Sequence, residues 1–117
     1  MEKDSLVYAK SVDFSLAIID LYKTLYPEKE WVISKQLLRS GTSLGANISE
    51  ALSGYSKKDF TYKMSLANKE ARETKYWLLL LNHASLAQIN MRSQLTQVEE
   101  LIKILTAIIK TAQTSPS

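Results

Sequence analysis

The sequence predicts an all-α domain, an antiparallel up-down four-helix bundle that assembles as a homo-oligomer. Three observations point to the bundle. Apolar residues recur at steps of 3 and 4 in four successive segments, the spacing that lines one face of a helix. The breaks between segments are short, and short loops between long helices make antiparallel neighbours. Only three glycines and two prolines occur in 117 residues, too few for a turn-rich β fold, which needs such residues every 8–12 positions or so. A length of 117 residues suits one core. The bundle is expected over residues 1–113, with 114–117 a flexible tail.

Helix one is expected over about 5–26, capped by Asp4 or Ser5, whose side-chain oxygens can accept a free backbone N–H. Val7, Phe14, Ile18, Leu21 and Leu25 share its inner face, and Pro27 ends it. Helix two is expected over about 30–52 with Ile33, Leu37, Leu44, Ile48 and Ala51 or Leu52 inward. Gly41 and Gly45 lie within it, each costing about 1 kcal/mol relative to alanine. Two such residues one turn apart imply close approach of a neighbouring backbone. Ser53-Gly54 is the stop.

Helix three is expected over about 56–86. Ser56 with Asp59 three residues on is a variant capping box. Phe60, Met64, Ala67, Ala71, Thr74, Leu78 and Leu81 form its stripe. Helix four is expected over about 93–112, with Leu95, Val98, Ile102, Leu105 and Ile109 in one row and Leu101, Ile104 and Ile108 in a second. The second row, together with Tyr76, Trp77, Leu79 and Leu80 outside the main stripe of helix three, exceeds the roughly three apolar positions in seven that a monomeric bundle needs. Surplus apolar surface marks an interface, so self-association is expected.

Composition narrows the chemistry. The absence of cysteine excludes disulfides, iron–sulfur clusters and Cys-based zinc sites, and fits a reducing cytoplasm. No apolar h-region follows Met1-Glu2-Lys3-Asp4, so no secretory signal is expected, and the Tyr76–Leu81 run is too short to span a bilayer. A cytoplasmic protein with no membrane partner is the expectation.

No enzyme site, metal or cofactor is expected either. His83 is the only histidine; Leu80 stands where a Glu-x-x-His di-iron motif needs glutamate, and Arg72 lies eleven residues upstream, too far for the Arg-x4–6-His of all-α ribonucleases. Glu50 could pair with Glu70 or Glu73 across helices, but the spacing does not require it. No phosphate-binding glycine loop is present.

Two polar features remain. On helix two, Gln36, Ser40, Ser43, Asn47 and Glu50 are spaced 4, 3, 4 and 3. This stripe reads as a packing seam within or between subunits, or as a ligand contact. The other is charge. The whole chain carries +3; residues 1–30 hold four basic and six acidic side chains, whereas residues 54–91 hold six basic and three acidic. Lys58, Lys69, Arg72 and Lys75 form a ridge on helix three that can neutralise phosphates. The alternative is a solvated face on which Glu70 and Glu73 partner these cations within the helix.

The run Gln36-Leu37-Leu38-Arg39-Ser40-Gly41-Thr42-Ser43-Leu44-Gly45-Ala46-Asn47-Ile48-Ser49-Glu50 resembles the signature of the 23S rRNA intervening-sequence proteins, whose usual form is Gln-Leu-x-Arg-Ser-x-x-Ser-Ile-x-Ala-Asn-Ile-x-Glu-Gly. The likeness extends to Asp59-Phe60 and to Glu70 through Leu81; Ala51 and Gly45 depart from it, where Gly and Pro are usual. The resemblance implies a four-helix bundle forming a homopentamer, similar to the accessory variability determinant proteins of diversity-generating retroelements, which bind nucleic acid through basic surfaces. It implies no catalytic activity, and it makes Arg39, Ser40, Ser43, Asn47 and Glu50 the signature residues. The resulting expectation is a non-enzymatic oligomer that binds structured RNA or DNA through helix three. The rival is a protein-interaction scaffold that binds no nucleic acid.

Overall fold

The computed structural model describes residues 2–28, 31–84 and 89–114. Val7, Phe14, Ile18, Leu21 and Leu25 are all buried along one side of α1 (Glu2–Leu25), as their spacing predicts. The helix begins earlier than expected, so Asp4 and Ser5 lie inside it and neither precedes it as a cap. A carboxylate in the first turn is favoured there by the positive end of the helix dipole. Pro27 ends α1, and Tyr26–Glu28 tighten into a 3-10 turn. Tyr26 packs at a tilt between Tyr22 and Trp31 at ring separations of 6.1 and 6.0 Å, and the Trp31 indole N–H donates to the Tyr26 carbonyl.

The second helix, α2 (Val32–Leu52), buries Leu37, Leu44, Ile48 and Ala51 with Ser34, Ser40 and Gly41. Its expected start at Glu30 lies outside the described residues. Helix α3 (Lys57–Ala84) is 28 residues long, about 42 Å at 1.5 Å per residue, which accounts for most of the 50 Å length of the molecule. The Ser56 hydroxyl accepts the Asp59 N–H at 3.0 Å, the expected cap. The expected end of this helix at Leu86 lies outside the described residues. Gly54, between α2 and α3, has no left-handed backbone; a Cβ there would stand 2.5 Å from Asp59 Oδ2, which that side chain can relieve by turning, and 3.1 Å from the Ala51 carbonyl.

Helix α4 (Arg92–Thr114) runs one residue earlier and two later than expected, and Asn90 Oδ1 accepts the Arg92 N–H at its start. Thr114 therefore belongs to the helix, and residues 115–117 of the expected tail lie outside the described residues. Met91, just ahead of α4, is fully buried, a core residue that periodicity within the helices does not reach.

Main packing contacts run α1–α2, α2–α3, α3–α4 and α4–α1, with one core inside. Burying each Leu, Ile, Met or Phe there contributes about 1.5–3 kcal/mol. On α4 the expected apolar surplus is turned inward. Val98, Leu101, Leu105 and Ile108 form the buried stripe of α4, and Leu95, Ile102, Ile104 and Ile109 pack against the core from its flanks. The two rows are one wide inward face. Exposed large apolar residues include Leu6, Tyr8, Val12 and Leu16 on α1 and, of those expected outside the stripe of helix three, Tyr76. Beside Tyr8, Val12 and Leu16 runs a groove floored by Ser11, Ser15, Thr42, Gly45, Ala46 and Ser49.

Both helical glycines face α1. A Cβ on Gly41 would stand 3.0 Å from Ile18 Cγ2, and one on Gly45 would stand 3.1 Å from Ser15 Oγ and 3.7 Å from the Ser11 carbonyl. The close approach expected of them is made by the Ile18 side chain at Gly41, and by serine hydroxyls with backbone behind them at Gly45.

Candidate nucleic-acid interface

Arg39, on α2, reaches across to α3. Its Nη1 lies 3.2 Å from Glu70 Oε2, its Nη2 bonds Glu73 Oε2, and its Nε donates to Gln36 Oε1 at 3.3 Å. Trp77 donates its indole N–H to the same Glu73 oxygen at 2.9 Å. Glu73 is thereby held ionised below its ordinary carboxylate range, first by the Trp77 bond and then by Arg39, with partial burial opposing. The bond to Glu73 holds the Arg39 guanidinium above its ordinary value.

At the next residue of each helix, the Ser40 and Thr74 hydroxyls lie 2.8 Å apart in the core, and Thr74 Oγ1 is 2.7 Å from the Glu70 carbonyl. Farther along, Lys63 Nζ bonds Glu50 Oε1 at 2.8 Å, which raises the lysine above its ordinary value. Three of the five signature residues, Arg39, Ser40 and Glu50, therefore bind α2 to α3. For the other two, no hydrogen bond or ion pair to α3 is seen among the described residues: Asn47 donates to the Ser43 carbonyl of its own helix at 3.0 Å, and Ser43 is half-buried beside it. The suggested pairing of Glu50 with Glu70 or Glu73 does not occur: Glu50 takes Lys63, while Glu70 and Glu73 share Arg39.

These bonds set the charge of the outer surface. Glu70 and Glu73, the acids that could neutralise the ridge of α3 from within the helix, are bonded toward α2. Lys58, Lys69 and Arg72 are exposed, and none of them closes a salt bridge among the described residues. Lys75, the fourth expected member, turns toward α4 and lies 3.8 Å from Glu99. The ridge is thus Lys58, Lys69 and Arg72, with Lys75 at its flank.

Periodicity of charge alone does not single out the tyrosines. Tyr62 is 59% exposed and Tyr76 56% exposed, one helical turn after Lys58 and Arg72 respectively. The spacing Lys-x3-Tyr and Arg-x3-Tyr is the signal that could have found them. The Tyr76 ring meets Trp77 edge-on at 5.3 Å, so the Glu73–Trp77 bond braces it from beneath. His83, exposed near the end of α3, joins no such cluster. Among the described residues, no group of three or more His, Cys, Asp or Glu is placed to hold a metal ion, and no helix is long and apolar enough to cross a membrane.

A four-helix chain whose second and third helices are joined by an Arg–Glu–Glu–Trp cluster, with a basic outer face on the third, is the class that fold and site define. By sequence the chain belongs to the 23S rRNA-intervening sequence protein family, whose model matches residues 3–107. A crystal structure of a protein of unknown function from the S23 ribosomal protein family of Bacteroides thetaiotaomicron is similar to it at 47% identity and a TM-score of 0.89, covering 93% of this chain and 99% of that one. No curated protein matches.

Proposed function

We propose that this protein is a non-enzymatic, cytoplasmic homo-oligomer that binds RNA or DNA through the outer face of α3. The observation that carries the reading is the diversion of Glu70 and Glu73 to Arg39, which leaves Lys69 and Arg72 without a salt bridge among the described residues, on the same exposed face as Lys58. Lysine and arginine side chains in that state displace the counterions of a phosphate backbone, and binding then falls steeply with salt.

Oligomerisation is supported by the exposed Tyr8, Val12 and Leu16 ridge and its adjoining groove of small residues, a surface that a neighbouring helix can cover. Antiparallel packing within the subunit is supported by paired contacts: position 39 meets 73 while 50 meets 63, and position 18 meets 41 while 11 meets 45. The family resemblance favours five subunits, which would repeat the basic face around the assembly.

Native mass measurement before and after nuclease treatment, joined to binding isotherms at about 50 and 200 mM salt, tests both parts. A nucleic-acid-bound oligomer with salt-sensitive affinity is expected. A monomer, or an oligomer with no affinity for RNA or DNA at the lower salt, defeats the corresponding part. A stoichiometric protein partner retained after nuclease would favour the scaffold instead.

A further inference from the structure

Resting on that nucleic-acid reading, we infer that the outer face of α3 takes an unpaired strand, with its bases stacked on Tyr62 and Tyr76. The face is built as two matching units. Lys58 stands one turn before Tyr62 and Arg72 one turn before Tyr76, both cations exposed and both rings more than half exposed. In each unit a cation can hold a phosphate while the ring offers its π-face to the attached base.

Between them, Lys69 lies seven residues from either tyrosine, on the same side of the helix. The rings are about 21 Å apart along the axis, so one strand of several nucleotides spans both with Lys69 beneath its middle. An exposed tyrosine makes no use of its ring against a duplex, whose bases are stacked on one another and whose surface is sugar and phosphate. Single strands are held by the combination found here, basic side chains that track the backbone and aromatic rings that replace base stacking.

Two of the three nearby acids are engaged elsewhere. Glu73 is bonded to Arg39 and Trp77, and Glu70 to Arg39. Asp59 lies beside Lys58 and Tyr62 at the start of the helix, where it faces the shallow cleft they share with Ser56. It places the first unit in a less positive setting than the second, so Tyr76 is the stronger platform.

The test uses the full-length protein and two fluorescent probes of equal length, a single-stranded oligouridine and a duplex RNA, at about 50 mM salt. Tyr76→Ala is expected to weaken oligouridine binding by about fivefold or more, and Tyr62→Ala by less, because each removes one stacking partner. Tyr76→Phe keeps the ring and should keep the affinity, and duplex binding should be unchanged in all three. Both tyrosines are surface residues, and circular dichroism of each variant checks that it remains folded. Wild-type binding that no tyrosine substitution alters overturns the stacking inference and leaves the nucleic-acid reading standing. Failure of the wild type to bind either probe, or single-stranded and duplex DNA of the same length, overturns both.

Discussion

Glu73 Oε2 accepts two hydrogen bonds at once, from the Arg39 guanidinium on α2 and from the Trp77 indole on its own helix. One carboxylate oxygen thus joins the signature segment of α2 to the aromatic end of α3. The second acid, Glu70, meets the same guanidinium, and its backbone carbonyl meets Thr74 beneath. Tertiary pairing therefore removes from the α3 surface two negative charges that the sequence alone places beside its lysines.

Arg39→Ala should destabilise the fold and weaken nucleic-acid binding together. Half of the Arg39 side chain is solvent-exposed while those of Glu70 and Glu73 are 16% and 30% exposed. Solvent screening limits the effect to about 1 kcal/mol, or roughly 4 °C in thermal midpoint for a domain of this size. The released carboxylates would also turn toward Lys69 and Arg72 and compete with phosphate. Arg39→Lys should restore little of the stability, since an ammonium cannot fork between two acids. Melts at fixed protein concentration, with affinity measured on the same samples, check this.

The depressed Glu73 carboxyl gives a pH dependence of defined sign. Its folded-state proton affinity is lower than in the unfolded chain, so ionised Glu73 stabilises the fold above the ordinary carboxylate range. That contribution disappears as pH falls through the lowered folded value. Thermal midpoints between pH 7 and pH 3 should fall less in Glu73→Gln than in the wild type. Equal slopes would show that the carboxylate charge is not used.

The two helical glycines should respond oppositely to alanine. At Gly41 the new methyl meets Ile18 Cγ2 and Cγ1 at 3.0 and 3.1 Å, and Ile18 is a fully buried, β-branched core residue with nowhere to move. Overpacking costs about 1–3 kcal/mol and outweighs the roughly 1 kcal/mol gained in helix propensity. At Gly45 the nearest atom is the Ser15 hydroxyl, half-buried at the groove and held only by a 3.5 Å bond to the Gly41 carbonyl, so it can rotate away. Gly41→Ala should lower the urea midpoint, and Gly45→Ala should leave it unchanged or raise it.

How much of this was legible depended on range. The α1 face was readable in full because Val7, Phe14, Ile18, Leu21 and Leu25 all sit on one period of a single helix. Helix four misled because Leu101 and Ile108, which look like a second row, occupy the centre of the inward face. The Arg39 cluster was beyond reach: it joins positions 31 and 34 residues apart, and that pairing depends on how far α3 slides along α2. From sequence, Lys69–Glu73 is an equally good helix pair. The Glu73–Trp77 bond, at four residues, was within reach. Asn47 lies half-buried on the stripe, and its side-chain N–H bonds the Ser43 carbonyl four residues back, a local pairing the spacing contains.

Ser40 and Thr74 provide the sharpest test of whether the signature builds the fold. Both are fully buried, and their hydroxyls form a bond between α2 and α3 in an otherwise apolar layer. Thr74→Val keeps the shape but deprives Ser40 of this partner, leaving it a 3.5 Å contact to the Leu37 carbonyl. A buried hydroxyl so weakened costs about 1–3 kcal/mol. Ser40→Ala alone is milder, because Thr74 retains the Glu70 carbonyl at 2.7 Å. With both changed, no polar group is stranded, and the double variant should recover much of what Thr74→Val loses, a coupling of about 1 kcal/mol in a double-mutant cycle. Additive losses would mean that the two hydroxyls act separately, and that the helix interface owes its stability here to shape alone.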